Sequence, residues 1–431
     1  DEICDYFGVK IAMYFAWLGF YTSAMVYPAV FGSVLYTFTE ADQTSRDVSC
    51  VVFALFNVVW STLFLEEWKR RGAELAYKWG TLDSPGEAVE EPRPQFRGIR
   101  RISPVTRAEE FYYPPWKRLL FQLLVSLPLC LTCLACVFLL MLGCFQLQEL
   151  VLSVKGLPRL ARFLPKVVLA LLVSASAEGY KKLAIWLNDM ENYRLESAYE
   201  KHLIIKVVLF QFVNSYLSLF YIGFYLKDME RLKEMLATLL ITRQFLQNVR
   251  EVLQPHLYRR LGRGELGLQA AWELARTRLQ DTFQDYQEMF VQFGYVVLFS
   301  SAFPLAALCA LVNNLIEIRS DALKLCTGLQ RPFGQRVESI GQWQKVMEAM
   351  GVLAIVVNCY LIGQCGQLQR LFPWLSPEAA IVSVVVLEHF ALLLKYLIHV
   401  AIPDIPGWVA EEMAKLEYQR REAFKVRWRG L

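Results

Sequence analysis

The chain has 431 residues, of which 55% are hydrophobic, 14% aromatic and 20% charged. Its formal net charge of +4 gives no reason to expect nucleic acid as a partner. A mean hydropathy of +0.31, carried by long uncharged runs, excludes a string of ordinary soluble domains. The expected class is an all-α polytopic membrane protein.

The chain opens on Asp1 with no basic–apolar–small leader pattern, which reads as a fragment or a trimmed chain. A membrane helix needs roughly 20 apolar residues. The uncharged runs 11–39 and, marginally, 48–65 place two spans within residues 1–65. Residues 66–118 carry eleven Lys and Arg, which makes them a cytosolic loop by the positive-inside bias and puts the N-terminus in the cytosol as well.

Spans three to six fall within 119–257. Two are clean runs, 119–148 and 207–226. The other two, at 163–188 and 232–257, are interrupted by charge, the first by Glu178, Lys181 and Lys182 and the second by Glu234, Arg243, Arg250 and Glu251. Charge inside a span is costly, so it normally faces a protein interior or a wet path. Residues 258–284 read as a cytosolic linker. The stretch GRGELG within it fits a glycine-rich phosphate loop by letter, but no strand precedes it, so it is read as a loop.

The run 289–316 has 28 uncharged residues between Glu288 and Glu317. As one straight helix it would be about 42 Å long, against a hydrocarbon core of about 30 Å. A break at SSAFPLA, around Pro304, divides it into two helices and brings Glu288 and Glu317 back to one depth. Charge decides between the two. A single span strands Arg319, Lys324, Arg331, Arg336 and Lys345 outside, together with the basic tail, whereas a hairpin keeps both groups inside. Spans seven to ten thus occupy 285–404, with 349–369 and 378–402 following the hairpin. Residues 405–431 form a cytosolic basic tail, giving ten spans with both ends cytosolic.

The hairpin brings three polar stretches to one level. QNVREV supplies Gln247, Asn248 and Glu251; DYQEM supplies Asp285 and Glu288; NNLIEIRSDA supplies Asn313, Glu317 and Asp321. Spacings of three and four keep each set on one helix face. Five carboxylates brought together would repel one another. A hard divalent cation removes that repulsion, and calcium takes six to eight oxygen ligands from carboxylates and amide carbonyls. Magnesium prefers to keep its waters, and the set holds no His or Cys for zinc or copper. The alternative is that these acids lie in the interfacial zone and pair with Arg250 and Arg319.

The ten cysteines lie mostly in apolar runs and read as small membrane-helix residues, and the four histidines show no metal spacing. There is no nucleophile–base motif and no phosphate loop with its lysine, so no enzyme is expected. No internal inverted repeat points to a coupled transporter.

The stretches YFAWLGFYTSAMVYPAVFG, FLEEWKRR, KKLAIWLNDMENYRLESAYEKHLIIKVVLFQFVNSY, FVQFGYVVLFSSAFPLAALCALVNNLIEIRSDA and IPDIPGW together resemble the anoctamin family of calcium-activated chloride channels and phospholipid scramblases. The resemblance runs over nearly the whole chain. It implies a ten-helix homodimer in which each subunit has its own calcium site and a furrow for ions or membrane lipids. Residue by residue, it implies calcium ligands at Asn248 or Gln247 with Glu251, at Asp285 and Glu288, and at Asn313, Glu317 and Asp321; the family usually has Glu where Asp285 stands. A further calcium site is implied at Glu66 and Asp404, with His399 in place of a second acid on the tenth helix. The implied furrow takes in Glu178, Lys181, Lys182, Lys206 and Gln211. Gln211 stands where chloride-channel members carry Lys and a scramblase member carries Gln.

Two departures bear on activity. LLITRQFLQN lacks the glycine hinge that well-studied members have above the calcium ligands. The outer loops 40–47 and 227–234 are very short. The reading is a calcium-regulated scramblase or channel in the plasma membrane or at contacts between endoplasmic reticulum and plasma membrane. The alternative is a non-conducting scaffold or tether whose tail, EYQRREAFKVRWRG, binds anionic phospholipid at about 1 kcal/mol per basic residue.

Overall fold

The computed structural model describes residues 1–39, 41–82, 92–154, 156, 158–261, 282–328 and 333–430. The chain divides into two compact units, Asp1–Ser84 with Asn248–Leu431, and Pro85–Gln247. Helix dominates both. Among the described residues seven helices are long and apolar enough to cross a membrane, so the protein is an all-α polytopic integral membrane protein.

In the first unit a short helix α1 (Glu2–Phe7) leads into α2 (Val9–Thr39) and α3 (Gln43–Lys78). Pro28 lies inside α2 and leaves the carbonyl of Ala24 without its helical donor. The Trp60 indole of α3 donates to that carbonyl at 2.8 Å, so α2 continues through the proline. Around this contact Trp60 stacks on Phe64, and Trp17 stacks on Tyr21. α3 runs thirteen residues beyond the 48–65 span read from hydropathy, ending at Lys78 inside the stretch read as a loop. A half-buried ion pair, Lys69 to Glu348 at 2.6 Å, holds that extension.

The second unit carries an antiparallel hairpin of β1 (Ile99–Ile102) and β2 (Glu109–Tyr112), the one sheet among the described residues. Helices α4 (Pro115–Ser153), α5 (Arg159–Met190) and α6 (Glu196–Leu226) follow. α4 contains a π turn at Gln122–Ser126. α5 and α6 are joined through Tyr180 stacked on Phe210 at 3.8 Å, and through the Asn214 amide donating to the Val173 carbonyl at 2.9 Å. α7 (Met229–Leu261) is one unbroken 33-residue helix, as expected of a segment without a glycine, and its residues are shared between the two units.

The first unit resumes with α8 (Thr282–Leu298) and α9 (Ala306–Leu323). The 28-residue run is therefore interrupted, and the interruption spans the SSAFPLA stretch. Asn358 fixes it: its amide donates to the Val297 carbonyl at the end of α8, and its oxygen accepts from the Ser301 backbone. Gly32 of α2 gives the turn room, since a Cβ there would lie 2.4 Å from the Pro304 carbonyl. α8 is buried on nearly every side from Asp285 onward, its polar residues Asp285, Gln287 and Gln292 included.

α10 (Gln342–Gln364), the short α11 (Gln367–Leu371), α12 (Pro377–Ala401) and α13 (Gly407–Arg429) complete the unit. α12 leaves its apolar side chains exposed, among them Val386, Phe390 and Leu397, as a lipid-facing helix does. All ten cysteines are unbridged. The GRGELG stretch and most of the 258–284 linker lie outside the described residues.

Candidate metal centre

Three helices of the first unit supply the acidic cluster. α7 contributes Glu251, α8 contributes Asp285, and α9 contributes Glu317 and Asp321. One carboxylate oxygen from each of these four lies within 4.8 Å of the others. Glu317 and Asp321 stand four residues apart, one helical turn, so a single face of α9 presents both. Asp285 reaches them because the break at Phe299–Leu305 lets α9 return along the end of α8 that bears it. Glu317 is 2% exposed and Asp321 3%.

The surrounding hydrogen bonds leave part of the cluster unsatisfied. The Gln284 amide donates to Glu288 Oε1 at 3.1 Å, while Glu288 Oε2 is buried with no donor. Asp321 Oδ2 accepts from the Tyr14 hydroxyl at 2.8 Å, and its Oδ1 is buried and orphaned. Glu317 Oε1 is orphaned too. The Asn248 amide donates to Asn313 Oδ1 at 3.1 Å, which leaves Asn248 Oδ1 buried without a partner. Ser320 Oγ donates to Glu251 Oε2 at 3.3 Å.

Buried oxygen acceptors without donors are costly. Four of them, on four residues of one cluster, form the donor set that a hard cation satisfies. Lys324 is close enough to act on Asp285, Glu288 and Asp321, but a single ammonium does not balance five carboxylates. Arg319, one of the two interfacial partners considered for these acids, is exposed. The residues present therefore fit calcium, with Glu251, Asp285, Glu288, Glu317 and Asp321 as carboxylate ligands and Asn248 and Asn313 as amide candidates. Gln247 belongs to the second unit. Tyr14 and Ser320 escape a sequence reading, because nothing local marks a tyrosine in an apolar run as the partner of an acid 307 positions away.

The second implied site is arranged differently. Glu66 Oε1 lies 2.7 Å from His399 Nδ1 and 3.7 Å from Lys69 Nζ. Asp404 is exposed and is not grouped with Glu66 in a ligand set among the described residues. A lysine and a histidine thus stand against Glu66 Oε1, while Glu66 Oε2 is buried without a partner.

In the second unit, Glu178 and Lys182 are exposed on α5 and Lys181 is half-buried. Lys206 is engaged inward. Its ammonium donates to Glu191 Oε2 at 2.7 Å and to Asn188 Oδ1 at 2.9 Å. Glu191 is fully buried and also accepts from Tyr193, from Ser126 at 2.8 Å and from Gln122 at 3.3 Å. The π turn of α4 directs Gln122 and Ser126 to the same carboxylate. Gln211 is fully buried and accepts from Arg243 of α7.

The model of a family described as "Anoctamin: Calcium-activated chloride channel" matches residues 3–416. Anoctamin-8 of Homo sapiens is 63% identical over 99% of this chain and 53% of its own length. Anoctamin-8 of Mus musculus is 62% identical over 99% of this chain and 61% of its own length. Anoctamin-10 of Mus musculus is 41% identical over 99% of this chain and 67% of its own length. The chain thus spans roughly half to two-thirds of the curated relatives it matches.

Proposed function

We propose, from the premise that this chain belongs to the anoctamin family, that it is a calcium-regulated scramblase or ion channel working through a furrow at the membrane. The observation that carries the reading is the set of orphaned, buried carboxylate oxygens on Glu288, Glu317 and Asp321. Bound calcium would supply positive charge that cancels the repulsion among the acids. The chain's own part is to hold those acids on α7, α8 and α9 and to keep water from screening them. In this reading the seven long apolar helices are joined by α7, α8 and α9 to make ten spans. α8 and α9 form a hairpin, and both termini and the 258–284 linker lie in the cytosol. A homodimer in the plasma membrane, or at its contacts with the endoplasmic reticulum, is part of the same proposal.

Purified protein in liposomes tests it. Adding calcium should move labelled lipid, ions or both, and Glu317→Gln should raise the calcium needed. Absence of transport at every calcium level would sink the reading.

A second reading, a membrane tether, is favoured by α13. This helix exposes Phe424, Val426 and Trp428 beside Arg420, Arg421, Lys425 and Arg427. Such a helix suits the surface of an anionic bilayer. Removing residues 405–431 should then abolish binding to anionic vesicles.

A further inference from the structure

Asn313, Glu317, Asp321 and Lys324 stand at i, i+4, i+8 and i+11 along α9 and its C-cap, so the helix face that presents the two acids ends on an ammonium. Lys324 is held in place there. Its backbone N–H donates to the Ser320 and Asp321 carbonyls, and it is the first residue of a π turn, Lys324–Gly328. The neighbouring Leu323 is 65% exposed, whereas Lys324 is half-buried. Its charge acts on Asp321 of its own helix and on Asp285 and Glu288 of α8. The side chain thus serves acids on two helices, not the end of α9 alone.

An ammonium and a divalent ion answer the same need in this cluster. A helix C-terminus favours a cation, and carboxylates within 4.8 Å of one another favour it more. Lys324 lessens the repulsion but does not satisfy the oxygens, since Glu288 Oε2, Glu317 Oε1 and Asp321 Oδ1 are still buried without donors. A calcium ion that takes those oxygens meets Lys324 as a like charge. Its double charge makes the repulsion twice that of a monovalent ion at the same distance. The acids are fixed on packed helices, whereas the lysine head sits on a flexible four-carbon stem and can swing out to water.

We propose that Lys324 is a tethered counter-cation of the acidic cluster, which calcium must displace, and that this competition sets the calcium concentration at which the site fills. By linkage, the factor by which Lys324 weakens calcium binding is the factor by which calcium expels Lys324. Because Lys324 opens the π turn, its departure acts on the segment that leaves α9. Calcium as the competing ion rests on the function proposed above.

Thermal unfolding of the full chain in detergent, titrated with calcium chloride, separates this role from that of a merely structural lysine. Lys324→Gln should melt below wild type in chelator, because the acids lose their counter-charge. The same variant should reach half-saturation at about tenfold lower calcium, within the usual range of coupling between two ligands. Lys324→Arg keeps the charge and should stay near wild type in both respects. A structural lysine would lower the midpoint with no gain in calcium affinity.

Acylation of lysine amines in the wild-type chain, followed by peptide mass spectrometry, needs no variant. Calcium should raise the labelling of Lys324 and leave that of the exposed Lys425 unchanged. Half-saturation in Lys324→Gln at or above the wild-type concentration overturns the proposal. Should that variant fail to fold, labelling of Lys324 that calcium does not raise overturns it. Equal calcium responses in wild type and Lys324→Gln remove Lys324 alone and leave the calcium reading standing. No response in either chain at saturating calcium brings down both.

Discussion

Tyr14 donates its hydroxyl to Asp321 Oδ2 at 2.8 Å, linking the first long helix to the last turn of the acidic cluster. Both residues are buried, Tyr14 at 2% exposure, so water does not replace the bond if it is cut. The contact turns one oxygen of Asp321 toward α2 and leaves the other, Oδ1, for a cation. Groups that orient metal ligands typically matter by about tenfold or more in affinity. Tyr14→Phe should therefore weaken calcium binding by about tenfold while leaving the ligand set intact. Calcium titration of the protein's thermal stability measures this. An unchanged half-saturation point would show that Asp321 needs no orientation from α2.

Neutralising one ligand should have opposite effects with and without calcium. Without the ion, Glu251, Asp285, Glu317 and Asp321 crowd within 4.8 Å and destabilise the fold by mutual repulsion. Glu317→Gln relieves part of that and should raise the melting temperature in chelator. Wild-type protein should gain about 2.7 kcal/mol when free calcium exceeds its dissociation constant about a hundredfold, and the variant should gain far less. A variant less stable than wild type in chelator would mean that Glu317 has a structural partner and no unmet charge.

The grouping of these acids was legible in the sequence: twenty-eight uncharged residues exceed one membrane crossing, Pro304 lies in the interruption between α8 and α9, and the acids fall on helical spacings. What supports the cluster was not legible. Tyr14, Ser320 and Asn358 act on positions distant in sequence, and their own neighbourhoods look like ordinary helix. Arg243 showed only as a charge interrupting a span, because its hydrogen bonds to Gln211 and Ser215 depend on how α6 and α7 pack. Nothing in the charged stretch ENYRLESAYEKH marks Glu191 as an interior residue, yet it is fully buried. Four-residue strands such as Ile99–Ile102 are too short for alternation to show.

Glu66 offers a test of whether a second position takes part in calcium binding. Its carboxylate already faces His399 at 2.7 Å and Lys69 at 3.7 Å. Glu66→Gln should leave the calcium titration unmoved and cost about 1 kcal/mol of stability, since both of its partners are partly exposed. A shift of the titration by Glu66→Gln comparable to that of Glu317→Gln would restore this position as a calcium ligand.

Glu191 should set an acid limit on the second unit. Burial pushes its carboxyl up, but hydrogen bonds from Lys206 and Tyr193, and the charge of Lys206, outweigh burial and hold it below its ordinary value. A carboxylate with a lowered folded value stabilises the protein above the unfolded value, about 4.3, and loses that contribution as pH falls through the folded value. Glu191 should therefore contribute no pH dependence near neutrality and a decline in stability below about pH 4. Glu191→Gln should flatten that decline. It would also strand the Lys206 ammonium, which is 13% exposed, beside neutral groups. Breaking a buried pair from one side costs about 3 kcal/mol, and adding Lys206→Met should recover part of the loss. Melting followed by tryptophan fluorescence from pH 7 downward in the three proteins separates the outcomes. An acid limb that persists unchanged in Glu191→Gln would assign the pH dependence to a different carboxylate.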